Sequence, residues 1–161
     1  MMESTNPLQA HTFVQQLLQH WRGSATVRGA ASADEIEAFE QTYQVKLPDD
    51  FRTYLECADG FDQEACYQDQ AGFNFWPLSS VRPVAEYDGG KYGFPEDRRY
   101  FLFCDYLDFC WGYAVSFKNS KVVMVGTAVG RPIPVAESFE DFIRMYLRDD
   151  ALLYPQLLKE V

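Results

Sequence analysis

The fold of this chain is predicted from residues 47–60, which read LPDDFRTYLECADG. Pro48 lies where a helix can begin without losing a needed N–H, and the two aspartates after it place negative charge beside the unpaired N–H groups of the first turn. The apolar residues that follow recur at helical spacing: Phe51, Tyr54, Leu55 and Ala58. Asp59 and Gly60 then supply a stop. We therefore predict a short amphipathic helix over residues 48–58 with one buried face.

Other helices are predicted on both sides of this segment. An opening helix over residues 8–21 carries its apolar residues at helical spacing. Ser32 and Glu35 have the form of a capping box, which predicts that a second helix begins there. A closing helix begins at Ser138, with Asp141 in the acidic position of a capping box.

The strand signals begin after the glycine stop. Residues 61–72 are acidic and irregular, which is typical of a loop, and residues 73–78 are a short apolar run that predicts a strand. Residues 79–87 fit either a turn of helix or a further extended piece. Residues 88–95 contain three glycines and a proline and are interpreted as a loop.

The rest of the sheet is predicted from residues 100–135. Residues 100–104 are continuously apolar, which is typical of a strand buried on both faces. Residues 110–117 alternate bulky and small side chains and turn back into residues 121–125, which predicts an antiparallel hairpin. Residues 128–135 contain two prolines, so a strand there would lie at an edge. The order of helices, then strands, then a closing helix predicts an α+β fold, with helices on one side of a largely antiparallel sheet.

Length and charge restrict the organisation and the partners of the chain. Its 161 residues suit one domain over residues 1–161, in which residues 1–31 form an N-terminal helical extension. A formal net charge of −10 repels phosphate backbones and anionic lipids. We therefore predict neither nucleic acid nor membrane as a partner. An acidic surface attracts basic proteins, although acidity also serves solubility alone.

The N-terminus and the cysteines indicate a reducing compartment. The first residues have neither the basic region nor the apolar run of a signal peptide, and no stretch approaches ~18 consecutive apolar residues. We expect a cytoplasmic protein. The cysteines follow neither zinc-site nor redox spacing: Cys57, Cys66, Cys104 and Cys110. We expect free thiols, with a bridge between Cys104 and Cys110 across a hairpin as the alternative.

The patterns that carry catalysis are weak in this sequence. The only histidines, His11 and His20, lie nine residues apart, which does not bring two metal ligands onto adjacent helical turns. The GGKYG segment at residues 89–93 lacks the spacer and the Ser or Thr of a phosphate-binding loop, which favours a plain loop. Asp105 and Asp108 would suit an acid–base pair, but aspartates also favour turns because they accept backbone hydrogen bonds there. We predict no enzymatic activity, no cofactor and no metal, with a hydrolase that uses these two aspartates as an alternative.

A protein-binding surface is the better hypothesis. Acidic residues are concentrated in the predicted loops: Asp62, Glu64, Asp69, Glu96, Asp97, Asp105 and Asp108. Candidate exposed aromatic residues stand among them: Tyr67, Tyr92, Tyr106, Phe109 and Trp111. Aromatic anchors inside an acidic rim suit an interface with a basic partner. The alternative is that the aromatic residues all belong to the core and the acidic residues lie on several faces.

Several segments together resemble the SUKH superfamily, which includes the yeast regulators of cell-wall synthesis and killer-toxin resistance. The similar N-terminal motif consists of Ile36-x-x-Phe39-Glu40, Val45-Lys46-Leu47-Pro48-Asp49-Asp50-Phe51, Tyr54-Leu55 and Asp59-Gly60. The later segments at residues 75–78, 111–117 and 138–142 are similar in type and order. The resemblance covers residues 33–148.

This resemblance implies an α+β fold and no catalysis. For bacterial members it implies an immunity protein that binds and neutralises a cognate toxin, often a nuclease; for eukaryotic members it implies a regulatory scaffold. We predict an immunity protein whose partner is a basic protein toxin, with an intracellular regulatory scaffold as the alternative. The family motif is largely structural, so the predicted binding residues rest on charge and aromaticity alone.

Overall fold

The computed structural model describes residues 12–65 and 67–155. Within them the helices are α1 (Thr12–His20), α2 (Ala33–Tyr43), α3 (Asp49–Leu55) and α4 (Phe139–Leu147). The strands are β1 (Phe73–Phe75), β2 (Arg82–Pro83), β3 (Tyr100–Tyr106), β4 (Trp111–Ser116), β5 (Val122–Val125) and β6 (Ile133–Ala136). Two short 3₁₀ helices occupy Val84–Gly90 and Ala151–Leu153. This combination confirms the predicted α+β class.

The predicted helix starts are confirmed where they are described. The Ser32 hydroxyl accepts from the Glu35 N–H, and the Glu35 carboxylate accepts from the Ser32 N–H, both at 3.1 Å. Ser138 likewise accepts from the N–H of Asp141 at 3.0 Å and begins α4. The start predicted for the first helix, before residue 12, lies outside the described residues.

The third helix is shorter than predicted. Pro48 is its N-cap, and the helix ends at Leu55 instead of continuing to Ala58. The N–H groups of Cys57 and Ala58 both donate to the carbonyl of Tyr54, at 3.0 and 2.8 Å. These bonds tighten the last turn and close the helix early. Ala58 is nevertheless fully buried, as its spacing predicted.

The described strands form one antiparallel sheet. Its order is β1-β3-β4-β5-β6, and β2 pairs with β3 beside β1. The predicted hairpin is the β4–β5 pair, in which Tyr113 lies opposite Met124. Strand β6, which contains Pro134, lies at the edge as predicted, where a missing N–H costs no ladder hydrogen bond. All six residues of β4 are buried, so both faces of the sheet are covered there.

The helices cover one face of the sheet with aromatic side chains. Phe139 of α4 packs edge-on against Phe51 of α3 and Phe103 of β3, with ring centroids 5.0 and 5.3 Å apart. Phe75 of β1 contacts Tyr146 of α4 in the same geometry at 5.0 Å. Burying aromatic rings in this way supplies much of the hydrophobic stabilisation of a small domain. We call this side of the sheet the helix face.

The segment before residue 31 is part of this core. Trp21, which follows α1, is 1% exposed and packs against Phe61 and Phe75 at 4.8 and 4.9 Å. Its indole N–H donates to the hydroxyl of Tyr146 at 2.9 Å. The described part of the predicted N-terminal extension, from residue 12, is thus integrated with β1 and α4. No described helix combines the length and the apolar character that crossing a membrane requires.

Candidate interaction site

The opposite side of the sheet, the outer face, is built differently. Side chains alternate along a strand, so Phe73 and Phe75 point to the helix face while Asn74 points away from it. Asn74 is paired in register with Asp105 of β3, and Asp105 with Gly112 of β4. The centre of the outer face therefore carries an amide, a carboxylate and a glycine instead of large apolar side chains.

Four aromatic side chains lie over this polar centre. We call them the aromatic cluster: Trp76, Tyr87, Tyr92 and Phe109. The Phe109 ring is stacked on Tyr87 and Tyr92, with centroid distances of 4.5 and 5.3 Å and interplanar angles of 22° and 27°. Trp76 lies 5.7 Å from Tyr87 and 6.3 Å from Phe109. Among these, Phe109 and the two tyrosines are only partly buried, so the cluster reaches the surface.

Phe109 is held over the sheet by an unusual turn. Leu107, Asp108 and Phe109 all have left-handed backbones, with φ of 47°, 51° and 62°. A residue with a side chain pays roughly 1–2 kcal/mol in this conformation, so the run stores strain. The turn is fixed by the Cys110 N–H, which donates to the Tyr106 carbonyl at 2.8 Å, and by the Phe109 N–H, which donates to Asp105 Oδ1 at 3.0 Å.

Two glycines make room for the Phe109 ring. A Cβ on Gly112 would lie 2.8 Å from two carbons of that ring, closer than side chains pack. A Cβ on Gly126 would lie 3.3 Å from the rings of both Phe109 and Tyr92. The glycines in β4 and after β5 are thus part of the seat of the aromatic cluster.

Asp105 connects the sheet, the turn and the cluster. Its side chain is 5% exposed, and its Oδ2 accepts from Trp76 Nε1 at 2.6 Å and from Asn74 Nδ2 at 3.1 Å. Asn74 exchanges two further hydrogen bonds with Gln63, both 3.0 Å. Burial raises the pKa of Asp105 above its usual range, against the hydrogen bonds that oppose the shift. Both carboxylate oxygens of Asp105 accept hydrogen bonds, and these bonds hold Asn74, Trp76 and the backbone of Phe109 in place.

A small surface projects from the left-handed turn. We call it the turn surface: Tyr67, Gln68, Leu107 and Asp108. The Tyr67 hydroxyl and the Gln68 amide both donate to Asp108 Oδ1, at 3.0 and 3.3 Å. Tyr67 is 37% exposed and Leu107 46% exposed, and only two other large apolar side chains of the described residues are as open to solvent. The hydrogen bond to Asp108, and then its charge, raise the pKa of Tyr67.

The structure brings part of the predicted site together. Tyr67 and Asp108 are in contact, Asp105 lies beneath the same turn, and Tyr92 joins it through Phe109. Tyr106, partly buried, directly precedes the turn and stacks on Trp111 at 4.6 Å. Asp62 and Glu64 flank Gln63, which is joined to Asp105 through Asn74.

Other predicted residues lie elsewhere or inside the protein. Asp69 is buried and accepts hydrogen bonds from Tyr146 and from the N–H of Phe73, so it does not offer its carboxylate to a partner in this structure. Trp111 was expected to be exposed, but it is only 6% exposed. Its ring is covered by Tyr106, and its indole N–H donates to the Tyr113 hydroxyl at 2.8 Å.

The remaining two predicted acidic residues, Glu96 and Asp97, follow the 3₁₀ segment at Val84–Gly90. Burial, and then the charge of Glu96, raise the pKa of Tyr100. Glu96 therefore lies near Tyr100, the first residue of β3. The turn surface follows the other end of this 7-residue strand, about 20 Å away at 3.3 Å per residue. Asp97 lies beside Gly93, at the rim of a separate cleft.

Trp76, Tyr87 and Leu107 also belong to this site and were not predicted there from the sequence. Trp76 was interpreted only as part of an apolar strand, and Tyr87 lies in a segment that fitted two structures. Leu107 sits in a left-handed turn, for which the usual signals are glycine and asparagine. The pairing of Asn74 with Asp105 by register is the signal that a correct strand alignment would have supplied.

The site does not have the features of a catalytic or metal centre. Asp105 is occupied by three structural hydrogen bonds, and Asp108 by two. Over residues 12–65 and 67–155, no three His, Cys, Asp or Glu side chains are grouped closely enough to hold a metal ion. Cys104 is buried and Cys110 exposed, and the two are unbridged. What the outer face offers is a shaped surface with one oriented carboxylate.

The match to a known protein family covers most of the described residues. The model of the SMI1 / KNR4 family (SUKH-1) matches residues 30–145, which include the helix motif, the whole sheet and most of α4. A search of curated proteins found no match for the chain.

Proposed function

The chain belongs to the SMI1 / KNR4 family (SUKH-1), and from this premise we propose that it is an immunity protein that binds and neutralises a basic protein toxin through the turn surface and the aromatic cluster. The family domain is consistent with an immunity protein or a related regulator. The finer proposal concerns the kind of partner and the surface that holds it. In this proposal the protein acts by binding and has no enzymatic activity of its own.

The orientation of Asp108 carries the proposal. Its Oδ1 is fixed by Tyr67 and Gln68, whereas no hydrogen bond from the described residues reaches its Oδ2. A carboxylate held in this way pays little entropy to receive a lysine or arginine. Tyr67 and Leu107 flank it as exposed apolar side chains, which suit the anchors of a small interface.

Charge supports the same partner class. The chain carries a formal net charge of −10, and Asp62 and Glu64 add acidic side chains to the loop that leads to Tyr67. Nucleases and other enzymes that act on phosphates carry basic clefts, to which such a field would steer this protein. We expect the association rate to fall as salt increases. The dissociation rate should be set by Tyr67 and Leu107, which become buried against the partner.

Co-expression with a toxin tests the proposal. The probe is a basic C-terminal domain of any large protein encoded next to this chain, expressed in a sensitive host with and without this protein. We expect growth to be rescued by the wild type, and rescue to be lost in the Asp108→Lys variant. Purified proteins should show the same ranking, with affinity reduced at least roughly 30-fold when an oriented carboxylate is replaced by a positive charge.

Glu37→Lys is the matched control. It makes the same charge change at an exposed position on α2, whose Phe39 packs against Phe101 near the start of β3. If both variants weaken binding equally, net charge is responsible and the turn surface is not the contact. If rescue survives Asp108→Lys, the proposed surface is wrong.

The regulatory alternative makes a different prediction from the same experiments. A regulator of this family would bind endogenous proteins without rescuing cells from a toxin. A protein that shows no rescue but retains an Asp108-dependent endogenous partner would replace the immunity proposal with this one.

A further inference from the structure

A basic cleft lies beside the aromatic cluster. It measures about 250 Å³, and its walls come from the loop after the 3₁₀ segment and from the loop between β5 and β6: Lys91, Tyr92, Gly93, Val125, Gly126, Thr127, Gly130, Arg131 and Pro132. The two loops are far apart in the sequence. The fold therefore assembles a basic pair, Lys91 and Arg131, that no sequence motif contains.

The two cations have no acidic partner of their own. Among the described residues, neither the Lys91 nor the Arg131 side chain forms an ion pair, although the protein is strongly acidic overall. The Lys91 ammonium lies 5.5 Å from the centre of the Tyr92 ring, which holds it at the cleft wall. The carboxylate of Asp97 lies beside Gly93, at the rim of the cleft.

The glycine-rich wall adds backbone donors. Gly126 and Gly130 have left-handed backbones, with φ of 81° and 75°, which form the turn after β5. None of the hydrogen bonds of the described residues uses the N–H of Gly126 or Thr127. Unpaired backbone N–H groups next to two cations are the usual components of an oxyanion site.

We propose that this cleft binds a phosphate group, either as free phosphate or at the end of a small phosphomonoester. The volume lies below the ~300–1,000 Å³ of ordinary ligand pockets, so it suits a small anionic group. Two positive side chains and free N–H donors match the charge and the acceptors of a phosphate. The inference rests on different side chains from the toxin proposal, since Lys91 and Arg131 belong to neither the turn surface nor the aromatic cluster, although Tyr92 lines the cleft and belongs to the cluster.

The basic cleft could not be predicted from the GGKYG segment. The GGKYG segment lacks a phosphate-loop pattern; its first two glycines end the kinked 3₁₀ segment at Val84–Gly90, and a loop follows them. Lys91 acquires a partner only when the β5–β6 loop brings Arg131 to the same cleft. Binding would be weak, because the net negative field of the protein opposes any anion.

Titration of the ¹⁵N-labelled full chain with phosphate tests the proposal. Inorganic phosphate and phenyl phosphate are the probes, each compared with sodium chloride of equal ionic strength. We expect saturable amide shifts confined to residues 91–93 and 126–131, with a dissociation constant in the millimolar range. A tighter phenyl phosphate would indicate an esterified ligand, and equal affinities would indicate that the phosphate group alone is recognised.

Variants decide whether the cations are responsible. The K91Q/R131Q double variant should bind about tenfold more weakly, because two exposed charge contacts are lost. Lys118→Gln removes one charge from an exposed position on another turn and should leave the titration unchanged. Shifts that do not saturate, that also appear with sodium chloride, or that keep the wild-type affinity in the double variant would overturn the proposal.

Discussion

The two faces of the sheet use aromatic residues in opposite ways. On the helix face, rings such as Phe75, Phe103 and Phe139 are fully buried and meet mainly edge to face. On the outer face, Tyr87, Tyr92 and Phe109 are stacked nearly parallel, partly exposed, and supported by a strained turn. The first arrangement maximises burial, whereas the second holds a particular surface shape. We infer that stability comes mainly from the helix face and recognition from the outer face.

The largest effect is expected from Trp21→Ala on the helix face. The substitution removes a fully buried indole and its hydrogen bond to Tyr146, and should lower the free energy of unfolding by about 3–5 kcal/mol. Urea denaturation measures the change. Gln19→Ala, an exposed position on the preceding helix, is the control and should change it by less than about 0.5 kcal/mol. A small effect of Trp21→Ala would show that the segment before residue 31 is not part of the core.

Gly112→Ala should have an intermediate effect and should act mainly on the outer face. The new Cβ would meet the Phe109 ring, which the left-handed turn holds in place, so we expect a loss of about 1–3 kcal/mol. Near-ultraviolet circular dichroism should report the displaced rings. Gly29→Ala is the control, because nothing lies within 4 Å of its added Cβ. If the spectrum of Gly112→Ala matches the wild type, the glycine is not a seat for the cluster.

Asp105→Asn should have a smaller effect with a characteristic pH dependence. The amide replaces one acceptor by a donor and should cost about 1 kcal/mol at neutral pH. Burial raises the pKa of Asp105 in the folded state, so between the ordinary and the raised pKa the folded protein holds more protons than the unfolded chain. The wild type should therefore gain stability relative to the variant as the pH falls through that window.

Urea denaturation of both proteins from about pH 7 to about pH 4 measures this difference. Other groups with shifted pKa values, such as Asp59, are present in both proteins and cancel in the comparison. A difference that shrinks as the pH falls would mean that Asp105 is stabilised as a carboxylate.

The smallest change in stability is expected from Tyr67→Phe. It removes one exposed hydrogen bond to Asp108 and should alter the free energy of unfolding by less than about 0.5 kcal/mol. Binding of the proposed partner should weaken nevertheless, because Asp108 loses an orienting contact. Tyr43→Phe, which changes a hydroxyl near the other end of β3, is the control. Equal binding by both variants would remove Tyr67 from the recognition surface.

The helix face could be predicted from sequence because its signals are local. The Ser32–Glu35 capping box lies within four residues, and Pro134 excludes the last strand from the sheet interior wherever it pairs. The spacing of Phe51 and Tyr54 fixes which side of α3 is buried. Only the end of that helix was wrong, because its closing turn depends on hydrogen bonds that tighten after Tyr54.

The outer face could be predicted only in part because its contacts are between distant residues. Tyr67 and Asp108 are 41 positions apart, so nothing near Tyr67 indicates that the two are in contact. Three consecutive left-handed residues without glycine have no sequence signal, since the conformation is imposed by the bonds around Asp105. Composition indicates which kinds of residue could form an interface, and the tertiary fold decides which of them share a surface.

The three tryptophans make each region of the protein optically distinguishable. The Trp21 indole N–H bonds to a tyrosine hydroxyl in the core, and that of Trp76 bonds to the carboxylate of Asp105 beneath the aromatic cluster. Their fluorescence consequently samples two different environments within one chain. A protein that retains only Trp76 would report docking at the outer face without a chemical label, and one that retains only Trp21 would report global unfolding.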